Sequence, residues 1–148
     1  MREILFRGKR TDNGKWIEGY YLCLNSKKHL IYTGYAETDC GNYYPDCYGV
    51  IPESISEFTG LTDKNGKKIF EGDIIETGNF FSPINKLVIN IGAYTPSAYC
   101  KEEYKKYKSI GFYAWDGYNE YQLSNYPERY KVIGNIHDNP ELLGGAEQ

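Results

Sequence analysis

Through most of this chain apolar and polar residues alternate with the two-residue period of a β-strand, and corners of Asn, Asp and Gly interrupt the alternation. Glu3–Lys9 reads as the first strand. Asn13-Gly14 follows, a pair that suits a type I′ turn, and Lys15–Leu22 is the return strand. A third strand is expected at His29–Tyr35. Residues 36–48 carry little periodicity and read as a long loop with exposed tyrosines. Ser54–Phe58 is a short strand or a turn. Farther on, Asp73–Glu76 begins a strand, residues 78–83 turn, and Lys86–Ile91 is the clearest strand of the chain. Ile110–Trp115 and Glu120–Leu123 flank Asp116-Gly117 as another hairpin, and Tyr130–Ile136 is the last strand. Asn139–Leu143 should turn two leucines back onto the body, ahead of a disordered tail at 144–148. The one helical signal is residues 97–108, where Ser97 suits an N-cap and Glu103 and Tyr107 lie one turn apart. The same stretch also reads as an exposed, charged loop.

One pattern returns. Thr11-Asp12-Asn13-Gly14-Lys15 is echoed by Thr62-Asp63-Lys64-Asn65-Gly66-Lys67, and Glu-Gly follows each copy, at Glu18-Gly19 and Glu71-Gly72. Either two similar hairpins open two modules, or turns have reused their few favoured residue types. The division expected is an N-terminal β module at 1–58 and a C-terminal β module at 59–143, with a variable insertion at about 78–126.

Composition agrees with strands. Sixteen tyrosines stand against six phenylalanines and two tryptophans, and sixteen glycines accompany them. Tyrosine suits a pleated surface on which the ring packs and the hydroxyl stays wet. The net charge of -3 lacks the basic surplus that drives non-specific binding to polyphosphate, so an extended nucleic acid is disfavoured as partner. A small anion needs only two or three well-placed cations and stays open as a ligand. No apolar run approaches the ~20 residues that span a bilayer. The opening residues are too short and too interrupted for a signal peptide, so a cytoplasmic, soluble protein is expected. Cys23, Cys40, Cys47 and Cys100 form no Cys-x-x-Cys pair, and only His29 and His137 accompany them. Neither a metal site nor a cofactor is expected.

Catalytic chemistry is hard to assemble. No Gly-x-Ser-x-Gly and no phosphate loop is present. His137 beside Asp138 has the makings of an oriented base, but such a pair more often ends a strand. Glu71, Asp73 and Glu76 are close in sequence, and on a strand Glu71 and Asp73 would share a face, which suits a metal, an acid–base pair or simply a solvated edge. Lys101, Lys105, Lys106 and Lys108 are interleaved with Tyr99, Tyr104 and Tyr107, a stacking-plus-phosphate pattern that Glu102 and Glu103 weaken. A further aromatic concentration, Tyr94, Phe112, Tyr113, Trp115, Tyr118, Tyr121 and Tyr126, exceeds what one sheet face needs. The ligand-binding residues expected from these runs are Tyr94, Tyr99, Tyr104, Lys105, Tyr107, Phe112 and Trp115.

Three blocks together resemble the YopX-like family of phage and prophage proteins. They are residues 4–9 with Trp16 to Tyr21, then Phe58 to Ile75, then Val132 to Leu143. The resemblance implies a phage or prophage origin, a β-rich fold and self-association, and it brings no catalytic residue with it. Lys67-Lys68-Ile69-Phe70-Glu71-Gly72-Asp73-Ile74-Ile75 is also similar to the strand pattern of small SH3-like barrels, a likeness that carries no function. The fold expected is mostly β, in small antiparallel sheets of SH3-like barrel type with at most one short helix. The function expected is a non-enzymatic accessory role, as a homo-oligomer that binds a host protein or a small nucleotide-like signal. A metal-dependent hydrolase or nuclease, and a single-stranded nucleic-acid binder, are the alternatives.

Overall fold

The computed structural model describes residues 3–79, 82–95, 108–124 and 126–143. The chain divides into two compact units, Met1–Phe58 and Thr59–Gln148.

The first unit holds β1 (Phe6–Lys9), β2 (Trp16–Leu24), β3 (Lys28–Glu37), β4 (Tyr43–Gly49), a 3-10 turn at Pro52–Ser54, and the start of β5 (Ser56–Thr62). Its strands lie in the order β4-β3-β2-β1-β5, all antiparallel. Ile31 is fully buried, with Leu5, Leu30, Val50 and Phe58 nearly so. Gly19 lies in the middle of β2, where a Cβ would stand 2.2 Å from the Tyr32 carbonyl oxygen, so only glycine lets β3 approach.

Two expectations for this unit need correction. Residues 36–48 are not one long loop: β3 runs to Glu37, and β4 returns along it with Ala36 opposite Tyr44 and Glu37 opposite Tyr43. Tyr43 and Tyr44 are both exposed, so the strand alternates no apolar and polar faces, and an edge strand tolerates Pro45. Nor is Asn13-Gly14 a type I′ turn, because only Gly14 has positive φ, at 69°. The loop closes instead through Arg10 N–H to Lys15 O and Gly14 N–H to Arg10 O. The paired left-handed residues are Asn25 and Ser26, at 52° and 55°, which turn β2 into β3.

In the second unit the later part of β5 pairs with β6 (Lys68–Phe70). There follow β7 (Asp73–Asn79), β8 (Ser82–Tyr94), β9 (Ser109–Trp115), β10 (Glu120–Gln122), a 3-10 turn at Pro127–Arg129, β11 (Tyr130–Asn135) and a 3-10 turn at Pro140–Leu143. The antiparallel sheet runs β10-β9-β8-β7-β11, so β8, β9 and β10, all within 78–126, supply three of its five strands. The expected hairpin at Asp116-Gly117 is present, with Asp116 Oδ1 accepting the N–H groups of Tyr118 and Asn119. On one face Ile75, Leu87, Ile89, Ala114, Tyr130 and Val132 pack with Ile69 into the core. Each large aliphatic side chain so buried contributes about 1.5–3 kcal/mol.

Asp73 is 1% exposed, and its Oδ2 accepts the Phe70 N–H at 2.8 Å, closing the Glu71-Gly72 corner between β6 and β7. Glu71 therefore sits in the corner and shares no strand face with Asp73, contrary to expectation. Asp73 is no solvated edge either. At the C-terminal turn Leu142 is half-buried while Leu143 stays 40% exposed, so one leucine returns to the body rather than two. Among the described residues the mostly β, antiparallel expectation holds. The stretch read as a helix, and the tail, lie outside them.

Candidate ligand-binding cleft

Strand register decides which side chains meet in the second unit. Val88 pairs with Trp115, Ile89 with Ala114 and Ile91 with Phe112, without interruption to Tyr94 and Ser109. Because strand side chains alternate faces, Phe112 stands with Ala114 on the core face. Tyr94 and Trp115 stand on the other. Phe112 packs against the core cluster, Tyr94 is 5% exposed and stacks on Tyr113 at 5.0 Å, and Trp115 is 42% exposed. The three described members of the expected binding set are thus split between two faces and form no joint site. Tyr99, Tyr104, Lys105 and Tyr107 lie outside the described residues.

A concavity lies on the core face. β10 and β11 occupy opposite edges of the sheet, yet only residues 123–129 connect them. Leu123, Ser124 and Arg129 of that connection, the strap, line a cleft of about 180 Å³ together with core-face side chains. Thr77, Asn85 and Leu87 line the sheet side, with Ala114 and Tyr121 at one end and Tyr130 at the other. Thr77 faces Asn85 on β8 and Tyr130 on β11, one row across three strands. Gln122, Leu123, Ser124 and Arg129 complete the rim.

Hydrogen bonds hold the walls. The Tyr130 hydroxyl accepts the Ser124 N–H at 3.0 Å and meets its Oγ at 3.1 Å, pinning the strap to β11. The Tyr121 hydroxyl donates to Asp116 Oδ2 at 2.7 Å. Burial disfavours the charged form of Asp116, but the Tyr121 hydroxyl and the N–H groups of Asn119 and Tyr118 outweigh it, and its pKa falls to about 2. The same bond, with burial, raises the Tyr121 phenol, which stays neutral. Arg129 is exposed, its guanidinium 5.0 Å from the Tyr126 ring centre. Among the described residues the lining carries this one cation and no carboxylate. An apolar floor, two phenol rings, amide and hydroxyl groups and one guanidinium suit a small planar anion.

Other residues singled out in the sequence have partners in the fold. Glu76 lies opposite Lys131, their charged atoms 3.9 Å apart. The Asn135 side chain accepts the N–H groups of both His137 and Asp138, forming a corner at the end of β11. No group of three or more His, Cys, Asp or Glu side chains among the described residues is placed to hold a metal ion. No helix among them is long and apolar enough to cross a membrane.

With this geometry in hand, the YopX protein family matches residues 5–144, nearly the whole chain. The chain belongs to the YopX family. Among solved structures, the crystal structure of protein EF1440 from Enterococcus faecalis is similar to this YopX-family protein. It is 26% identical over 97% of this chain and 99% of that one, with a TM-score of 0.58. No curated protein matches. The cleft residues Arg129, Tyr130 and Asn85 went unseen in the sequence, because nothing local marks them. Tyr121 was one aromatic among many.

Proposed function

We propose that this YopX-family protein is a phage accessory protein that works by holding a small nucleotide-like anion in the cleft of its second unit. The observation that carries this reading is that Tyr121, Tyr130 and Arg129 line one cleft with the apolar Leu87 and Ala114. Rings stack on a base, and a single guanidinium takes a phosphate. At about 180 Å³ the cleft is smaller than the ~300–1,000 Å³ of typical ligand pockets, so one ring enters and the rest of the ligand lies outside. Sequestration of a host signal is the role that fits a binding protein of phage type, acting as a homo-oligomer.

Thermal unfolding against a panel of mono-, cyclic and dinucleotides tests it. A ligand at a hundred times its dissociation constant adds about 2.7 kcal/mol of stability, a readily measured rise in Tm. Arg129→Ala should remove the rise without lowering the Tm of the unliganded protein. A panel with no effect on the wild-type chain would sink the reading.

One observation favours a host protein as partner instead. Tyr20, Leu22, Leu24, Tyr35 and Tyr43 of the first unit are 41–69% exposed, and tyrosine is enriched at binding hot spots. Leu22→Glu should then abolish capture of that partner while nucleotide binding persists.

A further inference from the structure

The core face of the second unit changes character from one row of its sheet to the next. Ile75 faces Leu87 on β8 and Val132 on β11, a row that is apolar throughout. Two residues along on the same face, the row becomes Thr77, Asn85 and Tyr130, and all three line the cleft. The phenol hydroxyls there are spent within the fold, Tyr121 on Asp116 and Tyr130 on Ser124, so both residues offer a ligand their rings. The Thr77 hydroxyl and the Asn85 amide are bonded to no other group among the described residues. They stand directly opposite each other on β7 and β8, a pairing that sets Cβ atoms about 4.5–5.5 Å apart. Where the apolar row ends, the cleft thus presents a primary amide beside a hydroxyl.

We propose that the cleft selects adenine among the nucleobases, with Asn85 as the residue that reads the edge of the ring. The inference rests on the nucleotide reading of the cleft given above. A primary amide carries an acceptor and a donor side by side in one plane. Adenine presents the complement on either side of its N6 amino group, a donor beside the N7 or the N1 acceptor. Asparagine pairs with both members of such an edge. Guanine at its N7 side shows two acceptors, O6 and N7, which set the amide oxygen against a lone pair. At its other side N1–H and the N2 amino group are adjacent donors that suit a carboxylate, and the lining has none among the described residues. A pyrimidine covers less of a tyrosine ring than a purine does, so it gains less from Tyr121 and Tyr130. Arg129 stays with the phosphate, outside the reading of the base.

Calorimetric titration of the full chain with AMP, GMP, UMP and purine riboside 5′-monophosphate, which lacks only the N6 amino group of AMP, tests the assignment. AMP should bind about tenfold or more tightly than each of the others, the discrimination expected of one two-bond contact to a base. In Asn85→Ala the difference between AMP and the purine riboside monophosphate should vanish, while the latter binds as it does to wild type. Asn85 is exposed, so the Tm of the unliganded variant should match wild type. Equal binding of AMP and GMP overturns the assignment, as does an AMP preference that survives in Asn85→Ala. Either result leaves the nucleotide reading of the cleft standing. Binding of none of the four removes that reading, and the assignment with it.

Discussion

Asp63 and Val132 are 69 residues apart, yet the Asp63 carboxylate accepts the Val132 N–H at 3.0 Å through Oδ2. Its Oδ1 accepts the N–H groups of Asn65 and Lys67 at 2.8 and 2.9 Å, so one buried side chain shapes its own turn and docks it on β11. The contact falls where the β11–β7 register shifts between Val132 and Gly134. Asp63→Ala would strand backbone donors in a site that is 2% exposed. Each buried donor left without a partner costs about 1–3 kcal/mol, so a loss of about 3 kcal/mol or more is expected in urea unfolding. Asp63→Asn, which keeps an acceptor for the turn, should cost less.

Acid should weaken the fold in a defined window. Burial opposes the charged form of Asp63, but the N–H groups of Val132, Lys67 and Asn65 win and hold its pKa below the usual value. Asp116 behaves likewise, with a pKa of about 2. A carboxylate depressed on folding contributes stability fully above its unfolded pKa of about 3.9, and the contribution is lost as pH falls through the folded value. Urea midpoints should hold near neutrality and drop between about pH 4 and 2. Asp116→Asn should flatten part of that drop; an unchanged acid limb would show that Asp116 is not depressed.

Gly19→Ala should disturb the first unit more than an added methyl suggests. The new Cβ would meet the Tyr32 carbonyl oxygen at 2.2 Å and the Ile31 side chain at 2.8 Å, neither of which can yield without moving β3. Overpacking of this kind costs about 1–3 kcal/mol. Hydrogen exchange should show the amides of β2 and β3 opening first.

Tyr130→Phe removes the hydroxyl that receives Ser124 while leaving the ring in the core. The loss in global stability should be modest, about 1 kcal/mol. Exchange at the Ser124 amide should accelerate by more than that of β8 or β9, because the strap over the cleft loses its pin. Nucleotide affinity should fall with it.

Much of the fold was legible because its signals are local. The return strand after Asn13-Gly14, the Asp116-Gly117 corner and the run Lys86–Ile91 needed only period and turn chemistry. Asp73 holds its corner by local chemistry too, since Asp beside Gly at the start of a strand bonds nearby amides. β4 was hidden, because a doubly exposed edge strand shows no alternation. Asn25-Ser26 was hidden too, since neither residue signals a hairpin as loudly as glycine.

Residue order alone determined that this chain builds sheets, where most of its corners fall, and which positions alternate within a strand. Only the tertiary structure decided which aromatics face each other. A strand fixes the faces of its own residues by parity, but the relative faces of Tyr94 and Phe112 depend on how β8 and β9 are registered. That register is settled by pairing across the whole sheet, which no local stretch encodes. The cleft follows from the same cause: Thr77, Asn85 and Tyr130 become neighbours only when three strands align.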